Sequence, residues 1–441
     1  MFHLGWFLGA GFGIQPWNTG TKDGVWNGTN STEWMKPDLY IDLTVSLERG
    51  GYDYILIEDT AMVEDTYGGS METTLRRGFM APKNDPLPLV PLLSRATKHI
   101  GIVPTLSSIQ YHPFMAARLI TTLDHLTEGR IGLNVVTSVT DRVAQNYGYE
   151  KHFEHDERYV MAEEWMEVIG QLWESWEPGA VRIDENANIY ADHTKVHPIE
   201  FQGKYFSSRG PLNTIPGPQR RPVIAQAGGS IPGRELAAKN ANTMLVLTES
   251  AAEAKAFRED MHARLAAHGR DVNELKVMFI VTPIIGETDA DAQRIAEAKA
   301  AAGWEWDQME YNLWNMSYIT GGRTDYSKFD LDSPMPQILG NGEQSSIKSY
   351  LEKGANRTLR EMAATHFQVG PLGMVGSPDT VAAKMGEFME EVGGDGFLVY
   401  APTTRRTIAE FTDGLSTALR RRGLIRSGFD HTTFKENLLD F

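Results

Sequence analysis

Apolar residues along this chain fall into two alternating patterns. Eight short runs are nearly continuous, often β-branched, and bounded by Gly, Pro or charge: Leu4–Leu8, Tyr54–Ile57, Ile100–Leu106, Ile131–Val136, Val223–Gln226, Thr243–Leu247, Val277–Val281 and Gly396–Tyr400. Runs of this kind predict strands covered on both faces. The segments between them repeat with helical period. Over 159–176, Met161, Trp165, Val168, Ile169, Leu172, Trp173 and Trp176 share one face. Ser377-Pro378-Asp379 reads as an N-cap with proline at the first helical position, ahead of an apolar face made by Val381, Met385, Phe388, Met389 and Val392. Glu48-Arg49-Gly50-Gly51 reads as a helix end with glycine at the C-cap.

This β–α alternation, with about eight strands, predicts an α/β fold of the TIM-type (β/α)8 barrel. A doubly wound open sheet has the same local grammar and is the alternative. Three stretches exceed a minimal barrel, near residues 60–86, 177–221 and 301–376, and are rich in Gly, Pro, Asp and aromatics. Such insertions at the C-terminal strand ends are expected to carry function or form lids. No linker divides the chain, so residues 1–441 are expected to form one barrel domain.

Composition narrows the function. No run approaches the roughly 20 apolar residues of a membrane span, and the start of the chain lacks the basic region of a secretory leader. There are no cysteines, which excludes disulfides, thiolate catalysis and Cys-ligated zinc and agrees with a reducing cytoplasm. A net charge of −16 repels phosphate backbones and anionic membranes, so neither nucleic acid nor membrane is an expected partner.

Four segments carry candidate chemistry. In Gln226-Ala227-Gly228-Gly229-Ser230-Ile231-Pro232 a strand ends, two glycines open the backbone, and a helix begins. Free N–H groups there would face an anion, with the Ser230 hydroxyl adding a donor; a tight turn without ligand is the plain alternative. A second strand delivers Asn134, then Thr137 and Ser138, to its C-terminal end, where the edge of a heterocycle or neighbouring backbone would satisfy the asparagine. His155 and Tyr159 are four apart and share a helix face, suited to phosphate and polyol groups or to simple capping. Glu58-Asp59 directly follows a strand, a placement typical of site carboxylates. Gly9-Ala10-Gly11-Phe12-Gly13 imitates a dinucleotide fingerprint but lacks the third glycine at the proper spacing. Walker A, HExxH, CxxC and GxSxG are missing, and the 12 histidines show no metal-ligand spacing, so no metal is expected.

Taken in order, these segments resemble one family. Glu48–Asp59, Gly129-Arg130-Ile131-Gly132-Leu133-Asn134-Val135-Val136-Thr137-Ser138, His155-Asp156-Glu157-Arg158-Tyr159, Gly210-Pro211-Leu212, Gln226–Ser230, Gly376-Ser377-Pro378 and Asp395-Gly396-Phe397 look like the nitrilotriacetate and dibenzothiophene-sulfone monooxygenase group of the bacterial-luciferase-like flavoproteins. The resemblance spans nearly the whole chain. It implies a barrel binding FMN at its mouth, with Asp59, Ser107 and Asn134 along the isoalloxazine, Val136, Thr137, His155 and Tyr159 toward the ribityl chain and phosphate, and Gly229, Ser230 and Ile231 on the phosphate. It further implies reduced FMN supplied by a separate NAD(P)H-dependent flavin reductase, O2 as co-substrate reacting through a flavin (hydro)peroxide, and a homodimer or homotetramer.

Three positions depart from the family pattern: Leu133 replaces a tryptophan, Ile109-Gln110 replaces Thr-Tyr, and Met316 and Tyr318 occupy the neighbourhood of an expected histidine. Phe12, Trp17, Tyr111, His112, Trp314 and His366, with Trp304 and Trp306, are candidates for a substrate wall, and core packing is the alternative for each. The expected activity is oxygenation or cleavage of a small aromatic or heterocyclic molecule in a catabolic pathway; a riboflavin lyase and a sulfone monooxygenase are concrete cases. A deazaflavin-dependent oxidoreductase and a non-catalytic flavin-binding protein are the alternatives.

Overall fold

A computed structural model describes residues 1–14, 17, 28–337, 340–365, 370 and 372–441. Eight parallel strands close into a barrel: β1 (His3–Leu8), β2 (Tyr54–Ile57), β3 (Gly101–Ser107), β4 (Gly132–Val136), β5 (Val223–Ala227), β6 (Thr243–Val246), β7 (Lys276–Val281) and β8 (Gly396–Tyr400). Neighbours in the barrel are neighbours in sequence, and β8 returns to β1 with Phe7 opposite Tyr400. Each strand falls on one of the eight apolar runs, within a residue or so at either end. The doubly wound sheet is excluded by that closure.

Side chains alternate between two cores. Tyr54, Leu56, Val103, Val223, Ala225, Leu245, Met278 and Leu398 fill the barrel interior, with Phe434 among them. The intervening residues, such as Leu4, Trp6, Ile55, Ile57, Ile102 and Leu133, pack outward against the helices. Leu133 therefore touches the sheet–helix layer, and its departure from the family pattern alters that packing rather than the wall of the mouth. Asn134, one residue on, points inward.

The helix signals hold as well. Pro378–Val392 starts at Ser377, whose side chain accepts from the Thr380 amide, and stops at Gly393 in the left-handed conformation with φ 65°. Pro37–Gly50 stops at Gly51, φ 82°. The long helix begins four residues earlier than its apolar face suggests, at His155, and runs to Glu174. Its first turn is charged, which conceals it from a hydrophobic pattern but suits the positive end of a helix.

The three stretches expected to exceed a minimal barrel follow β2, β4 and β7. A second core joins the connections after β2 and β7, in which Trp314, Tyr318, Tyr326 and Tyr350 pack with Leu313, Met316, Leu359 and Tyr67. Among the described residues, no helix is long and apolar enough to cross a membrane.

Candidate functional site at the barrel mouth

Strand register sets the floor of the site. Thr105 lies opposite Asn134, Ser107 opposite Val136, and Asn134 opposite Ala225. The Asn134 amide donates to Thr105 Oγ1 at 2.8 Å, and Thr105 in turn donates to the Ile57 carbonyl at 2.8 Å. Asn134 is 4% exposed, yet its Oδ1 has no hydrogen-bond partner. A buried acceptor left open in this way costs free energy unless a ligand meets it. Ser107 is bound at 2.7 Å to Ser138, which is held at φ 58°.

The glycine–serine turn stands on the same rim. Ser230 caps the helix Ile231–Asn240, its Oγ accepting from the Gly233 amide at 3.3 Å. Tyr159 reaches across from its own helix to hydrogen-bond Ser230 and Gln226. A Cβ on Gly228 would lie 2.9 Å from both the Tyr159 hydroxyl and Gln226 Nε2, so a glycine is needed where these groups converge. Gln226 is 2% exposed and its Oε1, like the Oδ1 of Asn134, lacks a partner. Ser345, at the start of the helix Gln344–Gly354, comes within 3.6 Å of where a Gly229 side chain would begin. An insertion thus closes the outer side of the turn.

His155 and Tyr159 sit together with ring centroids 5.1 Å apart. The His155 Nδ1 is 2.8 Å from Asp156 Oδ1, while its backbone N–H donates to Asn341 at 2.7 Å. Arg158, between them in sequence, is buried and donates to the Asn341 carbonyl at 2.7 Å. Burial lowers the Arg158 pKa to about 10. Thr137 is fixed by His152, whose Nε2 meets the Thr137 carbonyl at 2.9 Å. Burial, aided by the Arg158 charge, takes His152 down to about 4, so it is neutral at ordinary pH and donates there.

On the opposite side of the mouth a cavity of about 250 Å³ opens between β2, β3 and the loops above them. Asp59, Lys83, Asp85, Gln110, Tyr111 and Tyr147 face it. Lys83 is tied to Glu58, whose other oxygen accepts from Thr60 at 2.7 Å. Burial first, then the Glu58 and Asp85 charges, push Asp59 up to about 7 against the opposing pull of Lys83. Burial and the neighbouring acidic groups raise the Tyr111 phenol to about 12. Gln110 holds the Tyr147 hydroxyl, so this departure from the family pattern does alter a wall of the site. A larger recess of about 630 Å³ beside Met1, Phe2 and Leu424 lies at the N-terminal ends of β1 and β8, away from the mouth.

The structure thus gathers Asp59, Ser107, Asn134, Val136, Thr137, His155, Tyr159, Gly229, Ser230 and Ile231 around the C-terminal strand ends. Of the substrate-wall candidates, Tyr111 faces the cavity. Phe12 packs edge-on against Tyr40 at 5.1 Å. Trp17 is 41% exposed, with its indole N–H on the Arg77 carbonyl. His112 caps the helix Pro113–Leu126, accepting from the Phe114 amide. Trp314 is buried in the insertion core and donates to Thr74 at 2.8 Å. Trp304 and Trp306 are exposed, and His366 lies outside the described residues. The sequence pattern missed Lys83, Asp85, Tyr147, Gln226 and Ser345, whereas Gln110 was marked by its departure from the family pattern. Of those missed, only Gln226 carried a usable signal, as a polar residue closing an apolar strand. Among the described residues no cluster suited to a metal ion occurs.

Comparison with known proteins bears on the family and the fold. Residues 16–396 match the luciferase-like monooxygenase family. The dimethyl-sulfide monooxygenase of Hyphomicrobium sulfonivorans is 35% identical, over 94% of this chain and 87% of its own. Component A of the nitrilotriacetate monooxygenase of Aminobacter aminovorans is 32% identical over 95% and 94%. The crystal structure of a riboflavin lyase with modified FMN and riboflavin superposes with a TM-score of 0.87 at 28% identity, covering 100% of this chain and 96% of that one.

Proposed function

Because the chain belongs to the luciferase-like monooxygenase family, we propose that it binds FMN across the barrel mouth and, with reduced FMN from a separate reductase, oxygenates a small organic molecule. The observation that carries this reading is the open, buried Oδ1 of Asn134 on the same rim as the Gly228–Ser230 turn. The first offers an acceptor to a heterocycle N–H, and the second offers backbone N–H groups and a helix N-terminus to a phosphate. Gly229, Ser230, Ile231 and Tyr159 would hold the phosphate, with His155 and Thr137 toward the ribityl chain. Ser107, Asn134, Val136 and Asp59 would border the ring.

Reduced FMN supplies the activation of O2 and the transfer of one oxygen atom to substrate. The protein's share is to position and to exclude water. The insertion carrying Ser345 closes the phosphate end, and Arg158 pins its Asn341-Gly342 turn against the helix that holds Tyr159. Desolvation of this kind suppresses release of hydrogen peroxide before the substrate reacts. The phenols of Tyr111 and Tyr147 over the cavity suit an aromatic or heterocyclic substrate, and Lys83, paired with Glu58, offers little to a polycarboxylate. A cytoplasmic enzyme served by diffusing FMNH2 is the expected setting.

The test is a titration with oxidised and reduced FMN, followed by a metabolite screen with a general NAD(P)H:flavin reductase in air. Saturable FMN binding and an O2-dependent product are expected. Turnover with a reduced deazaflavin and no O2 uptake would sink the proposal.

A further inference from the structure

Five titratable groups line the cavity beside the ring position and Glu58 adjoins them; five of these six are engaged elsewhere. Glu58 takes Lys83 on one oxygen and Thr60 on the other. Asp85 accepts from the Leu87 amide at 2.9 Å and from the Tyr111 phenol. The Tyr147 hydroxyl is tied to Gln110. Asp59 is the sixth. It sits between two carboxylates, Glu58 and Asp85, and accepts from the Thr60 amide, while Lys83, the cation that faces it, is diverted to Glu58. The two phenols complete its surroundings.

From this arrangement, which rests on the FMN reading above, we propose that Asp59 is a catalytic acid–base residue that holds a proton at the flavin edge and relays it to departing oxygen. In oxygen transfer one atom of O2 enters the substrate and the other leaves as water. Without substrate, both leave as hydrogen peroxide. The two electrons and two protons come from reduced flavin in either case, so the carboxyl lends one proton and regains it within the cycle. Burial and the Glu58 and Asp85 charges place its titration at about 7, which keeps the proton available at neutral pH and lost as pH rises through that value.

Infrared difference spectra of the protein without flavin, taken across pH 7, read the proton directly. Wild type is expected to show a protonated-carboxyl band that disappears with a midpoint of about 7, and Asp59→Asn is expected to lack it. Stopped-flow reoxidation of protein-bound reduced FMN by O2, with no organic substrate, reads the role. The rate should fall above the same midpoint in wild type. In Asp59→Asn it should be slower by about 100-fold or more and independent of pH in this range. Glu58→Gln removes a like charge and releases Lys83, so it should move the midpoint down by about 1 pH unit. Superimposable spectra for wild type and Asp59→Asn, or a falling limb that persists in Asp59→Asn, overturns the proposal. Failure of FMN to bind wild type overturns the FMN reading together with it, whereas FMN binding without an Asp59-dependent band overturns this role alone.

Discussion

Ser230 has two jobs that a single substitution confounds. Its hydroxyl caps the helix Ile231–Asn240, and on the proposed reading it also donates to the FMN phosphate. Ser230→Ala should lose both, weakening FMN by roughly 1–2 kcal/mol and destabilising the helix start by about 1 kcal/mol. Ser230→Asp separates them. Aspartate caps as well as serine but repels a phosphate, so its melting temperature should stay near wild type while FMN binding is abolished in an equilibrium titration. Asp59 yields a second prediction, on stability. The folded chain holds this proton more tightly than the unfolded chain, because burial and two carboxylates raise its pKa to about 7. Stability therefore falls as pH rises from the ordinary carboxylate range to that value. Asp59→Asn should melt higher than wild type, by a margin that grows up to about pH 7 and is constant above it, as calorimetry across pH would show.

At the level of elements, the strands were readable because each is an apolar run with its own stop signals. So were the pieces of the site that ride on strand ends: Asn134 interrupts one such run, and the glycine–serine turn closes another. Asp85 and Tyr147 were not readable, because they meet Gln110 only when loops separated by dozens of residues fold over the mouth, and no local period marks them. Trp314 misled for the opposite reason. A tryptophan in a long insertion suggests a ligand wall, but this insertion shares an interior with the connection after β2, and Trp314 fills it with its N–H on Thr74. That insertion is fastened near the glycine–serine turn by buried Arg158, bound to the Asn341 and Gly342 carbonyls. Arg158→Met should leave those carbonyls without their donor. The barrel should survive, while hydrogen exchange over residues 340–354 accelerates and FMN dissociates faster.

For the molecule as a whole, ligand binding and folding are linked. FMN at about 100 times its dissociation constant should stabilise the fold by about 2.7 kcal/mol, visible as a raised melting temperature that Ser230→Asp does not share. The lower end of the barrel bears on the upper one. Phe434, from the final helix Phe434–Leu438, is fully buried in the interior, and a Cβ added at Gly101 or Gly132 would come within 2.5 Å or 3.1 Å of its ring. Those two glycines begin β3 and β4, the strands that carry Ser107 and Asn134. One aromatic ring therefore acts as a keel beneath the two staves whose tips would cradle the flavin, so a methyl group introduced at Gly101 could tilt a shelf built six residues higher without touching anything on it.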